Sequence, residues 1–137
     1  MISAALVARD GSIDWLCLPR FDSPACFAAL LGDRENGRWI IAPADAHDIE
    51  RSYYTGTAVL ETRFKTRSGE AVLIDFMPQT DDEDKVDVVR IVRGLSGTVD
   101  FGMELVLRFA YGTAVPWVRR RDYGLSAIAG PDAVELH

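Results

Sequence analysis

Histidine and cysteine are nearly absent from this sequence. There are two of each in 137 residues, and His137 is the last residue. A tetrahedral zinc site draws on clustered Cys and His, so a metal centre would be hard to assemble, and no metal or other cofactor is expected. Cys17 and Cys26 form no Cys-x-x-Cys pair; two buried, reduced thiols are the expectation. Basic charge is in deficit, with 15 Lys and Arg against 21 Asp and Glu for a net charge of −6. That argues against nucleic acid or an anionic membrane surface as a partner, since both need a basic patch. The one basic run, Arg119-Arg120-Arg121, is followed at once by Asp122 and reads as a solvated loop. Long apolar runs are missing too, and none approaches the roughly 18 residues that span a bilayer. The N-terminal MISAALVARDG has no basic residue ahead of its apolar patch and is interrupted by Arg9-Asp10. It does not read as a signal peptide, and a cytoplasmic location is expected. There is no GxSxG elbow, P-loop, HExxH or glycine-rich dinucleotide fingerprint.

What is present is an alternation of period two. In residues 98–109, TVDFGMELVLRF, the side chains of Val99, Phe101, Met103, Leu105, Leu107 and Phe109 fall on one face. That pattern predicts a long half-buried strand. TAVLETRFKT (57–66) and AVLIDFM (71–77) flank Arg67-Ser68-Gly69-Glu70 and predict a hairpin. VDVVRIVRG (86–94) predicts another strand, with Leu95-Ser96-Gly97 turning into the long one. AALVARDGSIDWLCL predicts a hairpin about Asp10-Gly11, RWIIAP (38–43) a short strand, and the tail two strands about Gly130-Pro131. One segment argues for helix, near residues 24–31. Ser23 suits the N-cap, Pro24 the first helical position and Gly32 the residue past the end, with Phe27, Leu30 and Leu31 inward. Eight or nine short strands make this an all-β chain, an antiparallel sandwich or barrel of single-domain length.

Candidate chemistry is sparse. His47 lies in a polar connection. Cys26, near the start of the expected helix, has apolar neighbours that favour packing over reactivity. The run Asp81-Asp82-Glu83-Asp84 lacks the glycine and closing glutamate of a calcium loop and reads as a solvated connection. Asp14, Asp22 and Asp75 stand among apolar and aromatic neighbours. Asp75 is expected to be half-buried and paired with an arginine or with turn amides. Among the aromatics, Trp15 and Trp39 are expected in the core, Trp117 is a candidate for exposure, and Tyr53-Tyr54 should expose one ring at most.

The run AALVARDGSIDWLCLPRFDSPACFAALLGD resembles the N-terminal domain of bacterial glycoside hydrolase family 15 proteins, the glucoamylase-like and trehalase-like enzymes. The similarity continues through NGRWIIAP, VLETRF, GEAVLIDFMP, DVVRIVRGLSGTVDFGMELVLRFAYG and PWV, in order along the chain. It implies a "supersandwich" of antiparallel strands that precedes a helical catalytic domain. The two catalytic glutamates of an inverting α-glucoside hydrolysis belong to that helical domain, so no catalytic residue is assigned here and the chain alone is expected to be inactive. It further implies that residues 1–137 are one β domain, truncated at both ends. The helical domain in cis is the expected partner. An oligosaccharide, or another copy pairing through unpaired strand edges, is the alternative, as for a free-standing carbohydrate-binding module or a self-associating scaffold. Trp15, Arg20 and Asp22 are the candidate substrate-proximal or domain-docking residues. Two readings of Arg20 and Asp22 stand: they pair to shape their loop, or they border the sugar pocket of the catalytic domain.

Overall fold

The computed structural model describes residues 3–82 and 85–137. The Glu83-Asp84 half of the acidic run therefore lies outside the described residues. The first turn falls at Asp10-Gly11, as its chemistry requires. Gly11 has φ +86°, and a Cβ there would stand 2.6 Å from the carbonyl oxygen of Ile41, so only glycine suits both the angle and the space. The Asp10 carboxylate accepts from the Ser12 N–H at 3.0 Å, closing an Asx turn. This turn joins β1 (Ala5–Val7) to β2 (Ser12–Cys17) as an antiparallel pair.

Three antiparallel sheets follow. In the first, β4 (Arg38–Pro43) and β3 (Ala25–Phe27) share the other edge of β2, and β9 (Phe101–Val106) pairs with β4. The second runs in order through β5 (Asp48–Tyr53), β6 (Leu60–Lys65), β7 (Gly69–Phe76) and β8 (Val89–Gly97). The third is a meander of β10 (Trp117–Arg121), β11 (Gly124–Ala129) and β12 (Asp132–Leu136). The all-β sandwich class stands, and the expected hairpins form at 60–76 and about Gly130-Pro131. Among the described residues no helix is long and apolar enough to cross a membrane.

Facing sheets bury their alternate residues. Ile41 meets Phe64 and Leu73 of the second sheet, with Trp39, Ile49 and Phe101 packed around them. The rings of Phe64 and Phe101 stand edge to face at 5.9 Å. A second cluster joins Ile13, Leu16, Cys26, Phe27 and Phe109, with Ala129 and Val134 of the third sheet against it. Between these layers lies the expected Asp75 partner, Arg90. Its Nε donates to Asp75 Oδ1 at 2.8 Å and its Nη2 to Oδ2 at 3.2 Å, with side chains 0% and 6% exposed. The same guanidinium donates to the Trp39 carbonyl at 2.6 Å and the Gly11 carbonyl at 2.5 Å. One buried cation therefore ties β7 and β8 to β4 and to the β1–β2 turn of the opposite sheet.

Several expectations are corrected. No α-helix forms near 24–31. Ala25–Phe27 is a buried strand and only Ala29–Leu31 makes a single 3₁₀ turn, with Leu30 and Leu31 exposed rather than inward. A two-turn helix has a costly nucleus, whereas in β3 Phe27 pairs opposite Leu16 and Ala25 opposite Cys17. The hydroxyl of Ser23 caps no helix; it accepts from the Arg20 N–H at 3.2 Å. Arg119–Arg121 is exposed, but as the edge strand β10, not as a loop. The long strand is confined to Phe101–Val106, because Ser96 and Gly97 stay paired with β7 and the chain then crosses to the first sheet. Tyr53 and Tyr54 are both exposed.

The sheets leave an apolar trough uncovered. Met103, Leu105 and Leu107 line one side and Val118, Leu125, Ala127, Val134 and Leu136 the other, around about 510 Å³. Met103, on the face that its neighbours bury, is 59% exposed.

Candidate functional site

Trp15 owes its position to a bulge. Leu6 pairs with Trp15 but Val7 with Ile13, so Asp14 is the extra residue on β2. Strict alternation would put Ile13 and Trp15 on one face. With the bulge, Ile13 and Leu16 share the inner cluster, and Trp15 packs on a separate one made by Cys17, Ala25 and Ala28. Trp15 is thus half-buried on the outer side of the first sheet, not in the main core. Tyr111 leans on it with ring centroids 6.1 Å apart. Ala110 and Tyr111 both have positive φ, +50° and +59°, an uncommon conformation for such residues. The Tyr111 N–H donates to the Ala25 carbonyl at 3.2 Å, which fixes that turn beside β3. Sequence reasoning missed Tyr111, since nothing in AYGTA announces which side of a sheet the turn will cover.

The loop between β2 and β3 holds the other two candidates. It opens on a cis Leu18–Pro19 bond. Arg20 Nε donates to Asp22 Oδ1 at 2.9 Å, both side chains being exposed, and Ser23 N–H donates to the Arg20 carbonyl at 3.1 Å. The hydrogen bond from Arg20 holds the Asp22 carboxyl below its ordinary pKa. Phe21 between them points into solvent, as do Leu30 and Leu31 of the turn that follows β3. The structure therefore brings Arg20 and Asp22 together as an ion pair, while Trp15 belongs to the strand and its apolar cluster.

The three acids singled out by sequence are all engaged. Asp22 is bound to Arg20, Asp75 to Arg90, and Asp14 accepts from the Ser12 hydroxyl at 2.5 Å. A general acid needs a pKa near the working pH, and the lowered Asp22 is poorly suited to that role. Cys17 and Cys26 are free, buried thiols. Burial pushes Cys26 up to about 12, and its Sγ donates to the Leu16 carbonyl at 3.4 Å. It packs and does not react. Among the described residues no group of three or more His, Cys, Asp or Glu is placed to hold a metal ion.

Fold and loop together define an all-β domain that presents an exposed, partly apolar loop between β2 and β3. The full chain, residues 1–137, matches the family described as "Trehalase-like, N-terminal", and the chain belongs to that family. It is 36% identical over 126 residues to a trehalase of Thermoplasma acidophilum, covering 87% of this chain and 21% of that protein. Trehalase 1 of Sulfolobus acidocaldarius is 35% identical over 125 residues, covering 90% and 21%. A trehalase of Mycobacterium tuberculosis is 30% identical over 128 residues, covering 80% and 18%. The chain thus spans about a fifth of the length of the curated relatives it matches. No solved structure matches it.

Proposed function

We propose that residues 1–137 form a single, non-catalytic N-terminal domain of a cytoplasmic trehalase-like α-glucoside hydrolase of the glycoside hydrolase family 15 kind. In this reading the domain packs against a helical catalytic domain and orients it. The observation that carries the reading is the exposed loop itself. Arg20 and Asp22 are locked in an ion pair around an exposed Phe21, and Leu30 and Leu31 stand exposed a few residues on. An exposed apolar side chain held between a charged pair on a loop suits an interaction site, and Leu30 and Leu31 add apolar surface at the far end of β3. The relatives' length supplies chain for it to meet. The relatives named as trehalases support an α-glucoside substrate class, trehalose or starch-derived oligosaccharides, in this reading.

The test is hydrolysis of trehalose and of maltooligosaccharides by this chain, beside the same chain extended by its helical domain. The short form is expected to be inert and the long form active. Glucose release by the short form would overturn the assignment. Arg20→Ala is expected to change the stability of the short form by less than about 0.5 kcal/mol, as exposed ion pairs do. In the long form it should lower kcat/KM at least several-fold. Unchanged kcat/KM would remove the loop from the interface.

A further inference from the structure

The two faces of the third sheet are built for different neighbours. Register places Trp117 opposite Ile128, Arg119 opposite Ser126 and Arg121 opposite Gly124; Ser126 in turn lies opposite Glu135. Directly paired residues share a face. The other face carries Val118, Leu125, Ala127, Val134 and Leu136, which line the trough. The outer face therefore presents an indole with Ile128 beside it, two guanidiniums and a carboxylate, with a buried serine and a glycine between them.

Trp117 is 69% exposed, and the Arg119 guanidinium carbon lies 4.1 Å from its ring centroid. With one face of the indole occupied by Arg119, exposure that large requires the other face to be open. Leaving a large apolar side chain in water forgoes its burial, and an exposed cation–π pair returns only part of that. Covering that open face by a ligand would recover the difference. Trp and Arg are enriched at protein interfaces too, so a protein partner in place of a sugar is the alternative that the titration below decides. A net charge of −6 disfavours nucleic acid. A sugar ring suits the set. Its C–H face stacks on the indole, its hydroxyl oxygens accept from guanidinium N–H groups, and its hydroxyls donate hydrogen bonds to the Glu135 carboxylate. Trp117 to Arg121 is about 13 Å at roughly 3.3 Å per strand residue, longer than a single ring.

We infer that the outer face of the third sheet binds a neutral oligosaccharide, with Trp117 as the stacking platform and Arg119, Arg121 and Glu135 as its polar contacts. Only the choice of glucose-based probes rests on the proposed function. The experiment titrates the ¹⁵N-labelled 137-residue chain with maltoheptaose and, separately, with trehalose, while following tryptophan fluorescence. Saturable binding is expected, tighter for maltoheptaose, with amide shifts concentrated on residues 117–135. Trp117→Ala should weaken it by about tenfold or more, with unchanged circular dichroism, and Arg67→Ala, in an exposed turn of the second sheet, should leave it unaltered. The inference is overturned by no saturable response to either sugar, by binding retained in Trp117→Ala, or by shifts confined to other strands. These readouts do not involve hydrolysis, so their failure leaves the domain reading standing, and glucose release by the short chain would not imitate binding at this face.

Discussion

Arg90 shows how much one side chain can hold. Its side chain is fully buried, bidentate to Asp75 and bonded to the carbonyls of Trp39 in β4 and of Gly11 in the first turn. Such a pair contributes little over well-packed apolar residues, but removing one partner strands a buried charge, at about 3–5 kcal/mol. Arg90→Ala and Asp75→Ala should each lower the urea unfolding free energy by that order. The double variant should lose clearly less than the sum; strict additivity would show that the two groups are not coupled. Cys26 gives a second expectation at this scale. Its folded pKa, about 12, lies above the ordinary thiol value of 9.0. The unfolded chain therefore loses the thiol proton first as pH rises, and the contribution to stability is complete below about pH 9 and declines between there and pH 12. Urea midpoints at pH 7 and pH 10.5 should fall further apart in the parent than in Cys26→Ala. An equal fall in both would exclude the thiol as the cause.

Elements were legible where local chemistry and tertiary packing agree. Asp10-Gly11, RWIIAP and the Gly130-Pro131 tail each announce a turn or an alternation, and each forms as read. The Asp75 partnership could be expected too, because an acid inside VLIDFMP must find a cation, although only strand pairing identifies Arg90. Legibility fails where two local signals compete. Ser23-Pro24 and Gly32 look like helix ends, yet Ala25–Phe27 gains more as a third strand beside β2. It fails again at Asp14, because a bulge leaves no mark in an alternating pattern and moves Trp15 to the opposite face. Of the candidate site, the Arg20–Asp22 pair could be read from spacing and the exposure of Trp117 could be expected, whereas Tyr111 depends on how distant segments fold. Gly11→Ala tests the element scale. Its φ of +86° and the 2.6 Å approach to the Ile41 carbonyl together leave a side chain no room. Backbone strain alone should cost about 1–3 kcal/mol. A variant as stable as the parent would mean that the first hairpin is not anchored on β4.

At the scale of the molecule, the sandwich is closed over β4 and open over β9. Trp39 and Ile41 meet the second sheet, while Met103, paired opposite Ile41, lies 59% exposed on the trough. An apolar wall of this kind is sustained in water only at the risk of association. In the proposed arrangement, further polypeptide of the longer protein removes it from solvent. Met103 separates the two situations. In the 137-residue chain, Met103→Lys places a charge where water already reaches, and a substitution at such a site changes stability by about 0.5 kcal/mol or less. It should also reduce any self-association seen by sedimentation. In the longer protein the same lysine would be buried without a partner, at a cost of several kcal/mol, visible as a large fall in melting temperature. If both forms tolerate the lysine equally, the trough is a water-facing surface in the whole protein as well, and cohesion of the two parts has to come from the Arg20–Asp22 loop instead.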